Sequence, residues 1–122
     1  MDIEKIREYA LSLPYVTENV QWGNDLVFKV GEKMFLVINL SETDLNKLSF
    51  KCLPEKFAEL IEQPFIIPAP YLARYHWITL QKHCSLDKNI VLELINIAYQ
   101  TIYAKLPKKT KEQLKSEFIA TK

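Results

Sequence analysis

Two stretches hold most of the side chains that could do chemistry. In PYLARYHWITLQKHC, residues 70–84, the bases Arg74, His76, Lys82 and His83 alternate with Tyr71, Tyr75 and Trp77. Cations between aromatic rings suit a surface that pairs with phosphates and stacks on bases. The same aromatics at alternate positions suit a strand packed on a sheet face. In KLPKKTKEQLK, residues 105–115, five lysines cluster: Lys105, Lys108, Lys109, Lys111 and Lys115. They could neutralise phosphates and release counterions, or solvate a helix–turn–helix surface.

Other chemistry finds weaker support. Cys52, Cys84, His76 and His83 are the candidate metal ligands, but they lack the paired short spacings of a structural zinc site. A Cys–His nucleophilic pair has no recognisable third group or oxyanion loop. Asp2, Glu4 and Glu8 lie beside Lys5 and Arg7, on what should be a solvated helix face rather than a shielded acid–base pocket. Phosphate-loop, dinucleotide, zinc-protease and nucleophile-elbow motifs are absent from the sequence. The expectation is a protein with no catalytic residues, no metal and no cofactor.

The chain has 122 residues, 48% of them hydrophobic, and only two glycines. That length suits one domain spanning 1–122, with a core large enough to need no disulfide or metal. No apolar run reaches the roughly 18 residues of a membrane span. Two cysteines make no disulfide framework, so a cytoplasmic protein with reduced thiols is expected. The net charge of +1 hides an asymmetry: residues 1–61 carry 7 Lys/Arg against 10 Asp/Glu, and residues 62–122 carry 9 against 5.

The hydrophobic pattern places these residues on elements. Asp2 caps a first helix with Ile3, Ile6, Ala10 and Leu13 on one face, ended by Pro14. Strand periodicity follows through Val20, Trp22, Leu26, Phe28 and Val30. Gly31-Glu32 suits a two-residue type II′ hairpin turn. KMFLVINL, residues 33–40, is apolar on both faces, with Met34, Leu36 and Ile38 opposite Phe35 and Val37. KLSFKC, 47–52, has Lys47, Ser49 and Lys51 on a wet face. Pro54 opens a helix, and Pro64, Pro68 and Pro70 discourage regular strand pairing across 63–70. YHWITLQ, 75–81, reads as a strand. Ser85 or Asp87 caps a long helix over about 87–105, and Thr110 with Gln113 has capping-box spacing for a last one. The order is α-β(3–4)-α-β(1–2)-α-α, an α+β fold with helices against an antiparallel sheet.

SLP at 12–14, QWG at 21–23, FKVGEKMF at 28–35, LSFKCLPE at 48–55, PAPYLARYHWITL at 68–80 and AYQTIYAKLPKK at 98–109 occur in this order. Together they resemble the MmcQ/YjbR family of small bacterial proteins. The resemblance implies a frataxin-like fold and a DNA-binding "double wing" domain, in which hairpins or loops flank a helical bundle. One candidate wing is the turn at Gly31-Glu32-Lys33. LARY stands where many members carry a lysine-rich run, and Ala98 where many carry Ser. Such a fold also invites an iron-binding reading, but fold does not carry function, and the first helix mixes its acids with Lys5 and Arg7.

The reading taken from the sequence is a non-enzymatic, monomeric DNA-binding domain with weak, sequence-independent phosphate contacts. Its nucleic-acid-binding residues are Arg74, His76, Trp77, Lys82, Lys105, Lys108, Lys109 and Lys111. The alternative is a protein-interaction or chaperone-like module using an exposed sheet face and the Pro-rich loop. A small-molecule site would need an enclosed polar pocket near Trp22 and Trp77.

Overall fold

Asp2 sets the start of the first helix, its carboxylate accepting the backbone N–H of Lys5 at 3.2 Å. The helix, α1 (Ile3–Ser12), stops short of Pro14, whose ring cannot continue it. The computed structural model describes residues 2–120. Four strands follow as a meander: β1 (Thr17–Gln21), β2 (Asp25–Val30), β3 (Lys33–Asn39) and β4 (Asn46–Lys51). Then come α2 (Pro54–Leu60), β5 (Ile66–Pro68), a 3-10 turn (Ala73–Tyr75), β6 (Trp77–Gln81), α3 (Lys88–Ala104) and α4 (Lys108–Ala120). The strands form one antiparallel sheet in the order β1-β2-β3-β4-β6-β5. The α+β architecture and the element order are those expected from the pattern.

One face of the sheet is dry. Leu26, Phe28, Val30, Leu36, Ile38, Leu48, Phe50, Ile78 and Leu80 form it, and α3 covers it with Val91, Leu94, Ile95, Ala98 and Tyr99. Burying a side chain of Leu or Phe size stabilises by about 1.5–3 kcal/mol, so this layer, with Ile6 and Ala10 of α1, dominates the fold. Asp87 caps α3 by accepting from Asn89 N–H at 3.0 Å. Tyr99 ties α3 to the end of α1, its hydroxyl donating to the Pro14 carbonyl at 2.7 Å. Among the described residues no helix is long and apolar enough to cross a membrane.

Five local expectations are corrected. Strict alternation along β3 fails at a bulge: Phe28 pairs with Leu36 but Lys29 with Met34. Phe35 and Leu36 therefore both enter the core, where the Phe35 ring meets Tyr99 edge-on at 5.5 Å. The Gly31-Glu32 turn has φ of 56° and 66°. Positive φ at both central residues makes it type I′, which matches the strand twist. YHWITLQ is a strand only from Trp77, because Tyr75 closes the 3-10 turn and His76 is left-handed at φ 65°. Thr110 lies inside α4, and the Pro107 carbonyl accepts the first helical bond from Lys111 N–H at 3.1 Å. Pro68, although a proline, ends a short edge strand, the sheet position that tolerates a missing donor.

Gly31 has two reasons to be glycine. Its φ is left-handed, and a Cβ built there would stand 2.7 Å from Leu106 Cδ1. Leu106 is buried between α3 and α4, so the hairpin tip is seated rather than free. A left-handed non-glycine residue costs about 1–2 kcal/mol. Gly31→Ala should therefore lower stability by about 1–2 kcal/mol or more, read as a lower urea midpoint at unchanged slope.

Candidate functional site

Two surfaces gather polar and charged side chains. The first is the end of the sheet where the β2–β3 turn, the end of β4 and the start of β6 meet the α3–α4 junction. Lys51 closes β4, and its ammonium donates to the Tyr75 carbonyl at 2.6 Å. Burial lowers the pKa of Lys51, and the nearby charge of Lys105 lowers it further. Lys105 caps the C-terminus of α3 and is exposed. Arg74 donates to the Tyr75 hydroxyl at 2.8 Å and lies over that ring at 4.9 Å. Arg74, Lys51 and Lys105, far apart in sequence, thus share one end of the molecule. Lys108 and Lys109, exposed, open α4 just beyond Lys105.

The other residues singled out from the sequence are placed differently. Lys111 is engaged: its ammonium donates to the Ala104 carbonyl at 3.1 Å and sits over the Tyr103 ring at 5.4 Å. His76 packs edge-on against Phe57 of α2 at 5.5 Å. Trp77 is buried at 4% exposure and offers no open ring face for stacking. Lys82 follows the far end of β6, where its N–H bonds the Leu45 carbonyl. Trp77 pairs with Lys51, so Lys82 lies a strand length, roughly 16 Å, from the basic end. Lys51 escaped the sequence reading as a site residue. Its signal was present, since KLSFKC puts Lys47, Ser49 and Lys51 on one face.

The second surface is the sheet face away from α3. Here the loop after β5 and the β1–β2 turn border a groove of about 600 Å³. Its floor includes Val37, Ser49 and Thr79, and its rim includes Trp22 and Tyr71. The Ser49 and Thr79 hydroxyls, on paired residues of β4 and β6, are hydrogen-bonded at 2.8 Å. At one end lie Asp25, Asn39, Asp44, Asn46 and Lys47. Asp44 is held by Asn39 Nδ2 and by Asn46 N–H, each at 2.9 Å. Gln81 Nε2 donates to Asn46 Oδ1 at 2.9 Å. The Lys47 ammonium is bound to the Ser41 carbonyl. Asp25 is half-buried, and no hydrogen-bond donor reaches its carboxylate among the described residues. Burial raises its pKa, and the charge of Asp44 adds to the rise. The groove is open on one side and reaches Trp22 but not Trp77. Trp22 and Tyr71 both have left-handed backbones, at φ 51° and 67°, which bulky residues seldom adopt.

Cys52 is buried, and burial pushes its thiol up to about 11, so it is protonated at neutral pH. Among the described residues no group of three or more His, Cys, Asp or Glu is placed to hold a metal ion.

The raised pKa of Asp25 fixes a sign. Below the ordinary carboxylate range both folded and unfolded states hold the proton, and the residue is neutral toward stability. As pH rises through the raised value the folded state loses stability relative to a neutral side chain. Asp25→Asn should therefore raise the melting temperature at pH 7 and have little effect at pH 3, read by thermal unfolding at both pH values.

Comparison with known proteins places this architecture. A search of curated protein sequences returns no match. The crystal structure of Deinococcus radiodurans protein DR2400, described as a DUF419 domain, is similar with a TM-score of 0.80 and 26% identity. That likeness covers 92% of this chain and 86% of the other. A Pseudomonas syringae protein, Northeast Structural Genomics Consortium target PsR293, shares the fold at a TM-score of 0.66 and 21% identity, covering 83% of this chain and 98% of that one. The YjbR family model matches residues 11–101, and the chain belongs to the YjbR family.

Proposed function

We propose that the protein is a non-enzymatic nucleic-acid-binding domain that holds the DNA backbone through its basic end. Arg74, Lys51 and Lys105 form the contact, and Lys108 and Lys109 extend it along the first turn of α4. The observation that carries this reading is that the fold brings Lys51, held on the Tyr75 carbonyl, to the same end of the molecule as Arg74 and Lys105. The charge of Lys105 acts on Lys51, and a bound phosphate would relieve that repulsion. The exposed Tyr75 ring beneath Arg74 adds a surface on which an unpaired base can stack. Such contacts go to phosphate and carry no sequence information. Of the residues named from the sequence the reading keeps Arg74, Lys105, Lys108 and Lys109, adds Lys51, and leaves out His76, Trp77, Lys82 and Lys111.

The alternative, a protein-interaction module on the exposed sheet face, draws support from Trp22 and Tyr71, which stand 68% and 99% exposed. It requires those rings, whereas the nucleic-acid reading requires the lysines.

Fluorescence anisotropy with a short DNA duplex at several salt concentrations tests the proposal. Affinity should fall steeply with salt. Lys51→Gln and Lys105→Gln should each flatten the slope of log Kobs against log salt by about 0.9. Lys82→Gln and Tyr71→Asn should leave it unchanged. Absence of binding at low salt, or equal effects of Lys82→Gln and Lys105→Gln, would overturn it.

A further inference from the structure

The groove on the open sheet face takes no part in phosphate binding, and its chemistry is opposite. We propose that this groove binds a small organic cation: a primary amine or guanidinium attached to a flat apolar body. Its volume, about 600 Å³, falls within the roughly 300–1,000 Å³ of small-ligand sites.

Charge complementarity identifies the cationic end. Asp25 and Asp44 line the same end of the groove. Asp44 is oriented by Asn39 and Asn46, while no donor reaches the Asp25 carboxylate among the described residues. The lining sets two carboxylates against one ammonium, Lys47, which is directed to the Ser41 carbonyl, so the site keeps a surplus negative charge. An N–H-rich cation gives Asp25 the donors it lacks. An anion would be repelled, and a neutral apolar ligand would bury carboxylate without replacing its water.

The floor and rim describe the rest of the ligand. Thr79 is 1% exposed, and its hydroxyl shares a hydrogen bond with Ser49. Two hydroxyls hold two protons, and the bond between them uses one. The other has no acceptor among the described residues, so it is available to a ligand oxygen or ring nitrogen. Val37 and Met34 supply apolar surface. Trp22 and Tyr71 stand at the rim with their rings exposed, as cation–π and stacking contacts require. A β-strand added from a partner is a poorer fit. The sheet edges are β1 and β5, and the groove lies over inner strands whose backbone groups are already paired.

The test is an amide-resonance titration with phenethylamine and with benzamidine, using 2-phenylethanol as the neutral isostere and benzoate as the anion. Trp22 fluorescence is a second readout, because Trp77 is buried. Both cations should give saturable shifts at Trp22, Asp25, Ser49 and Thr79. 2-Phenylethanol should bind about tenfold or more weakly, and benzoate should not bind. Asp25→Asn, nearly isosteric, should weaken phenethylamine by about tenfold. Tyr71→Asn removes a rim ring while keeping a residue that tolerates the left-handed backbone, and should weaken it several-fold. Equal affinity for phenethylamine and 2-phenylethanol would overturn the proposal. So would shifts centred outside the groove, no saturation below about 10 mM, or full binding in both folded variants.

Discussion

The packing of Leu106 over Gly31 is the contact on which the arrangement of charge depends. A two-residue turn with positive φ at both positions lets β2 and β3 close tightly, and the missing Cβ at Gly31 lets the α3–α4 junction settle onto the tip. That fixes where α3 ends relative to the sheet. Lys105 then comes close enough to Lys51 for its charge to be felt there, and α4 begins with Lys108 and Lys109 on the same side. Thr110, also close to Gly31, sits within the first turns of α4, so the helix start is held from both directions. A hairpin seated in this way is a fixed support for the basic end, not a mobile arm.

The same sheet has one face that must be dry and one that need not be. The bulge at Phe35 increases the apolar surface presented to α3, because two consecutive residues point inward and one meets Tyr99. The opposite face is covered only in part. Val27, Ala69, Trp77 and Thr79 are buried there, outside the main core cluster, while Asp25, Asn39 and Asn46 remain within reach of water. A core of this size tolerates polar residues on the second face because their hydrogen bonds are mostly satisfied within it. Asp25 is the exception: no protein donor reaches its carboxylate among the described residues, and it is left to water.

Much of this was readable from the sequence, and the failures have physical causes. Caps and breakers act locally, so Asp2, Pro14, Pro54 and Asp87 mark their helices correctly. Alternation put Lys47, Ser49 and Lys51 on the outer face of their strand, opposite Leu48 and Phe50, because period two is a property of the strand itself. The bulge at Phe35 and the left-handed His76 depend on what lies across the sheet or beneath the turn, and no local pattern announces them. The site residues divide the same way. The lysines of 105–109 are visible as a run. Lys51 matters only because topology brings it beside Lys105 and Tyr75. Of the groove only Trp22 was anticipated, since Asp25, Asp44, Ser49, Tyr71 and Thr79 come from separate segments that the sheet topology brings together.

A net charge of +1 conceals this separation of surfaces. Along the outward face of β4 the chain runs from Asn46 and Lys47 at the acidic end, past Ser49, to Lys51 at the basic end. Four residues of strand span about 13 Å, and Asp25 lies two strands to the side. Groups so far apart, without shared partners, act nearly independently. Each surface can therefore be altered without disturbing the other, so a nucleic acid at one end and a cation in the groove are not competing explanations of the same residues. Their coexistence on one strand face also orients them. A molecule carrying both a phosphate and an amine would find its two ends distinguished, because Lys51 and Lys105 stand at one end of β4 while Asp25 and Asp44, outnumbering Lys47, stand at the other.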